Sequence, residues 1–102
     1  MAKLVALYKR PANAAAFDSH YFSKHLPLAK KIAGLRRYEV SVGPVATPQG
    51  ESPFHLVAVL GFDSMSAIQQ ALASPEGIAA ATDLANFAQA GVDLLVFDSK
   101  DV

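Results

Sequence analysis

The chain contains no cysteine. That excludes disulfides, a thiolate nucleophile and cysteine-bound zinc. Charge is scarce as well: 18% of the 102 residues are Asp, Glu, Lys or Arg, against a usual share of about 25%. What charge there is balances, with 9 Lys plus Arg and 9 Asp plus Glu. A balanced chain has no basic face to neutralise phosphates, so nucleic acid is not an expected partner. No basic amphipathic stretch and no apolar run of bilayer-spanning length occur, so no membrane association is expected. Neither a Gly-x-Gly-x-x-Gly nor a P-loop is present, and no His-x-x-x-His spacing. A tightly bound dinucleotide and a first-row metal centre are therefore not expected, and no cofactor is assigned. Met1-Ala2-Lys3-Leu4 runs straight into a strand pattern with no signal-peptide layout. The expected location is the cytoplasm.

Apolar residues are abundant, at 52%. A domain of this size buries only roughly 60–70% of its unfolded surface. So few charges on so short a chain point to an oligomer. No internal repeat or linker divides the sequence, and residues 1–102 read as one domain.

Lys3–Lys9 is an apolar strand stopped by Pro11. Asn13 is placed to cap a helix from Ala14 to His25, with Phe17, Tyr21, Lys24 and Leu28 near one stripe and His25 at its edge. Pro27 removes an N–H and disfavours helical geometry at Leu26, so a kink or break is expected there, with a last helical piece through Ile32 and Gly34 as its cap. Leu35–Gly43 alternates as a half-buried strand, and residues 44–53 read as a mobile loop. Phe54–Phe62 is a strand. Asp63 or Ser64 caps a helix to about Leu72, Ser74-Pro75 starts another to about Gln89, Gly91 ends it, and Val92–Phe97 is the last strand.

Strand, helix, strand, strand, helix, strand is the ferredoxin-like βαββαβ order. It predicts an α+β fold: a four-stranded antiparallel sheet with helices on one face. In the first, third and fourth strands both parities are apolar, as in Leu4/Val5, Ala58/Val59 and Leu94/Leu95. A sheet with one solvated face would place polar residues at every second position. The second face therefore expects a cover. No spare segment supplies one, so the expected partner is a second copy, giving a homodimer closed through the sheet face.

The stretch from Tyr21 to Tyr38, YFSKHLPLAKKIAGLRRY, resembles the EthD signature YxxxHxPLxxxxPGLRxY, departing from it at Ala33 where Pro is common. Ser74-Pro75-Glu76-Gly77 followed by Asp83, Asn86 and Phe87 is similar to the family's second half. The resemblance covers nearly the whole chain. It implies a dimeric α+β barrel, a superfamily that includes isomerases, haem-degrading and quinone-forming monooxygenases, cyclases and decarboxylases. It implies the fold more strongly than the reaction, because one fold hosts many chemistries.

His25 matches the motif histidine and is the candidate catalytic residue, a general acid or base near neutral pH. The bland alternative is a structural histidine bonded to a carbonyl freed by Pro27. His20 lies five positions earlier, about 140° away on an ideal helix, so the two are not expected to share one site. His55 begins a strand beside a loop and reads as solvated. Tyr21, Tyr38, Phe17 and Phe87 are candidate substrate-binding residues, with ordinary core as the competing reading for the phenylalanines and for Tyr8. Asp83 is a further binding candidate that could bond a histidine or cap locally. Arg36 and Arg37 could anchor an anion, or bracket a strand edge with Glu39 as a partner across the dimer.

The resulting expectation is an EthD-like small-molecule enzyme, an oxidoreductase acting on an apolar or aromatic organic ligand with His25 moving a proton. The rivals are a lyase or isomerase of the polyketide decarboxylase or cyclase type, a non-catalytic ligand-binding or accessory protein, and a haem protein with His25 as axial ligand.

Overall fold

The computed structural model describes residues 1–102 throughout. Four long strands form the main sheet: β1 (Ala2–Lys9), β2 (Arg37–Val40), β5 (Phe54–Phe62) and β6 (Val92–Asp98). Two short strands, β3 (Ala46–Thr47) and β4 (Gly50–Glu51), pair with each other. The sheet order is β2-β5-β1-β6, and every neighbouring pair is antiparallel. This is the ferredoxin-like arrangement.

Strand parity decides which residues meet the helices. Along β1, Ala2, Leu4, Ala6 and Tyr8 are buried, and along β5, Leu56, Ala58, Leu60 and Phe62 are buried. These pair in register, Leu4 with Leu60 and Ala6 with Ala58. The helices α1 (Ala14–His20), α2 (Leu26–Lys30), α3 (Met65–Ala73) and α4 (Pro75–Phe87) lie over that face. The opposite face carries Val5, Leu7, Val57, Val59, Leu95 and Phe97 by the same alternation. No segment of the chain covers it, and Leu95 and Phe97 stay 50% and 43% exposed.

The helix starts are set by local chemistry. The Asn13 side chain accepts the Ala16 N–H, Ser64 accepts that of Ala67, and Ser74 accepts that of Gly77. Pro75 opens α4, where its missing N–H costs nothing.

Three local expectations need correction. Pro27 makes no break. Leu26 keeps helical angles, φ −58° and ψ −46°, and α2 runs through Pro27. The irregularity lies one turn earlier, where Tyr21–His25 forms a π turn and the Leu26 N–H donates to the Tyr21 carbonyl. A proline ring clashes with the carbonyl four residues back, and a widened turn relieves that clash. The buried stripe is accordingly Phe17, Tyr21, His25 and Ala29, while Lys24 faces solvent and Leu28 is half-buried. The second strand is shorter than the alternation implied, covering only Arg37–Val40. Residues 44–53 hold the β3–β4 hairpin, anchored by Ser52, whose hydroxyl donates to the Val45 carbonyl at 2.7 Å.

Candidate functional site

His25 and Asp83 come together from opposite halves of the chain. His25 closes the π turn; Asp83 sits on the inner face of α4, two turns after its Ser74 cap. His25 Nδ1 lies 3.0 Å from Asp83 Oδ2, with both side chains buried. His20 Nε2 lies 2.9 Å from Asp83 Oδ1, and Asn86 Nδ2 donates to the same oxygen at 3.0 Å. Asn86 is three residues beyond Asp83 and shares its helix face.

The meeting of His20 with His25 overturns the sequence expectation that they point apart. That expectation assumed an unbroken α-helix. The π turn puts one extra residue between them, so the separation of about 140° closes towards the about 40° of an i, i+4 pair. His20 also stacks on Phe87, with ring centroids 5.0 Å apart.

These contacts set the charge states. Burial disfavours the Asp83 carboxylate, but hydrogen bonds from Asn86, His20 and His25 outweigh it and hold the group below its ordinary value. Asp83 is therefore a carboxylate and accepts, so the facing nitrogen of each histidine is the N–H. Burial lowers His25 from its ordinary value, and Asp83 offsets only part of that. At neutral pH His25 is then a neutral imidazole with its proton on Nδ1 and a lone pair on Nε2. Every sealed polar side-chain atom has a partner, and Nε2 has none within the chain, so it opens on the cavity that His25 lines. A base oriented by a carboxylate and aimed into a cavity is the arrangement that proton abstraction needs.

That cavity measures about 80 Å³ between helices and sheet, and 14 of its 16 lining residues are hydrophobic. Sites for drug-sized ligands run to roughly 300–1,000 Å³, so this one suits a single ring or the inner end of a larger molecule. Leu72 and Leu94 line it and are 45% and 50% exposed, which places its mouth between α3 and the edge strand β6. Tyr21 and Tyr38 also line it, and their hydroxyls share a 2.7 Å hydrogen bond. Phe17 and Phe87 lie behind the wall in an aromatic cluster with Tyr8 and Tyr21; Phe87 packs 4.8 Å from the His25 ring. Asp83 stands behind His25 and does not line the cavity.

Two contributors carry only a weak signal in the sequence. Asn86 stands there as one letter of a motif, although its i, i+3 spacing from Asp83 places the two on one helix face. Tyr8 reads as core, yet its parity puts it with Leu4 and Ala6 on the cavity side. Two other expectations change. His55 is not simply solvated: its Nε2 lies 2.7 Å from Asp18 Oδ1, in a second pairing remote from the cavity. The β-bulge between Tyr8 and Lys9 leaves His55 outside the regular pairing. The strand-edge reading of Arg36 takes its carboxylate from the same chain, as Arg36 pairs with Asp63 at 3.0 Å with both side chains exposed. No group of three or more His, Cys, Asp or Glu is arranged to hold a metal ion, and no helix is long and apolar enough to cross a membrane.

Comparison with known proteins places these features in a lineage. An 11.0 kDa protein of Rhodococcus erythropolis, encoded in the thcB-thcC intergenic region, is 42% identical over 100% of this chain and 98% of its own length. The crystal structure of an ethyl tert-butyl ether D (EthD) family protein from Bacillus halodurans is 39% identical, superposes with a TM-score of 0.90, and covers 98% of this chain and 99% of that one. SnoaB, a cofactor-independent oxygenase of Streptomyces nogalater, shares the fold at a TM-score of 0.68 and 18% identity, covering 99% of this chain and 94% of that one. Residues 9–91, which include the Tyr21–Tyr38 signature, His25 and Asp83, match the EthD domain. The chain belongs to the EthD family.

Proposed function

We propose that this protein is a homodimeric small-molecule enzyme in which His25 is the general base and Asp83 its positioning residue. The observation that carries the reading is the 3.0 Å contact between His25 Nδ1 and the buried Asp83 carboxylate, with Nε2 left for the cavity. Asp83 fixes the tautomer and steadies the imidazolium that forms when a proton is taken. The ligand is an apolar or aromatic organic molecule, a reading the apolar lining supports. Tyr38 orients it, held in place by the hydrogen bond from Tyr21, which is itself fully buried. Phe17 and Phe87 hold the ring of His25 and the wall behind it.

The open sheet face supports the dimer. Val5, Leu7, Val57 and Val59 form a continuous apolar surface across two adjacent strands, and a second copy is its simplest cover. The reaction is proposed as oxidation of an electron-rich ligand by oxygen. The lyase or isomerase alternative begins with the same proton abstraction and differs in the later fate of the carbanion or oxyanion.

Native mass spectrometry of freshly purified protein, with oxygen-uptake assays on small aromatic compounds, tests the proposal. The expected result is a dimer whose turnover disappears in His25→Ala while the dimer persists. Full turnover in that variant would remove His25 from the chemistry. Turnover without oxygen uptake would move the reaction to the lyase or isomerase class. Ligand affinity with no turnover would make the protein a carrier.

A further inference from the structure

A proton taken by His25 leaves its electron pair, and a negative charge, on the ligand. Inside an apolar cavity that charge is costly unless hydrogen-bond donors meet it. The cavity wall supplies two, and neither is used up within the chain.

The first is Tyr8. It lies on β1, is 2% exposed, and packs edge-on against Phe17 and Tyr21 at 5.5 Å. Its hydroxyl bonds no protein group, yet no sealed side-chain oxygen is without a partner. The small exposed part of Tyr8 is therefore its hydroxyl, and it opens on the cavity.

The second is Tyr38. Its oxygen lies 2.7 Å from that of Tyr21, and one of the two must donate. Tyr21 is 0% exposed, so its proton has nowhere to go except Tyr38. Tyr38 is half-buried, accepts that bond, and keeps its own proton for the cavity. Accepting one hydrogen bond makes a hydroxyl a stronger donor of the next. Burial raises both Tyr8 and Tyr38 above their ordinary values, which keeps them protonated as donors.

We infer that Tyr8 and Tyr38 form an oxyanion pocket in the cavity that His25 also lines, and that the site takes phenols and enolisable ketones. The inference rests on the proposed role of His25. In the step, His25 Nε2 accepts the proton of the ligand's O–H or of the C–H beside its carbonyl. The electron pair of the broken bond ends on the ligand oxygen, giving a phenolate or enolate. His25 becomes an imidazolium paired with the Asp83 carboxylate. Ligands that arrive already charged, such as carboxylates or phosphates, are disfavoured, since no Arg or Lys lines the cavity.

The full chain titrated with 4-nitrophenol tests this, because the phenolate absorbs at its own wavelength. The ionised-to-neutral ratio of bound ligand should exceed that of free ligand about a hundredfold at the same pH, about tenfold for each of two hydrogen bonds to a charged group. Tyr8→Phe and Tyr38→Phe should each reduce that ratio about tenfold. His25→Gln should still bind 4-nitrophenol but leave it neutral. In the unsubstituted protein, the NMR signals of the ring carbons bearing the Tyr8 and Tyr38 hydroxyls should shift as phenolate binds, a readout independent of how the variants fold. If both tyrosine variants ionise the ligand as fully as the parent and only His25→Gln does not, the oxyanion pocket is wrong and the base stands. If 4-nitrophenol binds without ionising, or does not perturb Tyr8, His25 or Tyr38, the pocket and the proton-transfer role fall together.

Discussion

His20 and His25 donate to one carboxylate, reaching opposite oxygens of Asp83 at 2.9 and 3.0 Å. A π turn in the helix between them brings the two rings to the same side. The pairing orients the imidazole nearer the cavity and leaves the other at the protein surface, where the His20 side chain is 26% exposed.

Asp83→Asn should reduce proton transfer by about 10²-fold or more, in line with what a positioned base contributes. The amide oxygen is favoured at the Oδ1 position, where both His20 and Asn86 donate, which turns the amide N–H₂ towards His25. His25 should move its proton to Nε2, the nitrogen that must act as base. Nitrogen NMR of the histidines reads that tautomer directly. An unchanged tautomer with lost activity would show that Asp83 acts through the fold alone.

Stability should rise with pH across the acidic range. His25 is held below its ordinary value of 6.5, so below about pH 6.5 the unfolded chain binds a proton that the folded chain resists. Its contribution is complete above that pH and declines as pH falls towards the folded value. Asp83 is also held low, so its share is present above its ordinary 3.8 and is lost as pH drops further. Melting temperatures measured from roughly pH 2 to 8 should fall in two stages on acidification. His25→Gln should flatten the upper stage and leave the lower one.

Gly77→Ala should destabilise the protein by about 1–3 kcal/mol, the usual cost of overpacking. An added Cβ would lie 2.0 Å from the Ala71 carbonyl oxygen, where α3 hands over to α4. Ser74 ties the same corner, accepting from Gly77 N–H and donating to the Ala71 carbonyl at 2.6 Å. Denaturant unfolding would measure the loss. Asp83 rides on the same helix, so the variant should also weaken ligand binding.

Val59→Lys should convert the proposed dimer to monomer. Val59 lies mid-strand on the open face and pairs with Val5 on one side and Glu39 on the other. A buried lysine without a partner is strongly unfavourable in an apolar interface. Light scattering after gel filtration gives the mass. A parent protein that is already monomeric, or a variant that stays dimeric, would break the link between this face and assembly.

Much of the molecule was written in the chain. Parity along Ala2–Lys9 and Phe54–Phe62 determined which side chains meet the helices, because successive residues of a strand must face opposite ways. The hydroxyl and amide side chains of Asn13, Ser64 and Ser74 located the helix starts, since each satisfies N–H groups that a helix leaves open. The Tyr21–Tyr38 motif marked His25. These signals are local, and a local pattern survives in a one-dimensional reading. The partner of His25 is not local: Asp83 lies 58 positions away and is brought to it only when α4 packs across the π turn. The ideal-helix rule placed His20 on the wrong side because Pro27 marks an irregularity in the helix but not that it takes the form of a widened turn one turn earlier. Tyr8 looked like core for a similar reason. Its ring is core, and only the packed structure shows its hydroxyl facing a cavity instead of a protein partner. Sequence determined the elements and their faces; tertiary packing decided which polar atoms were left over, and those atoms carry the proposed chemistry.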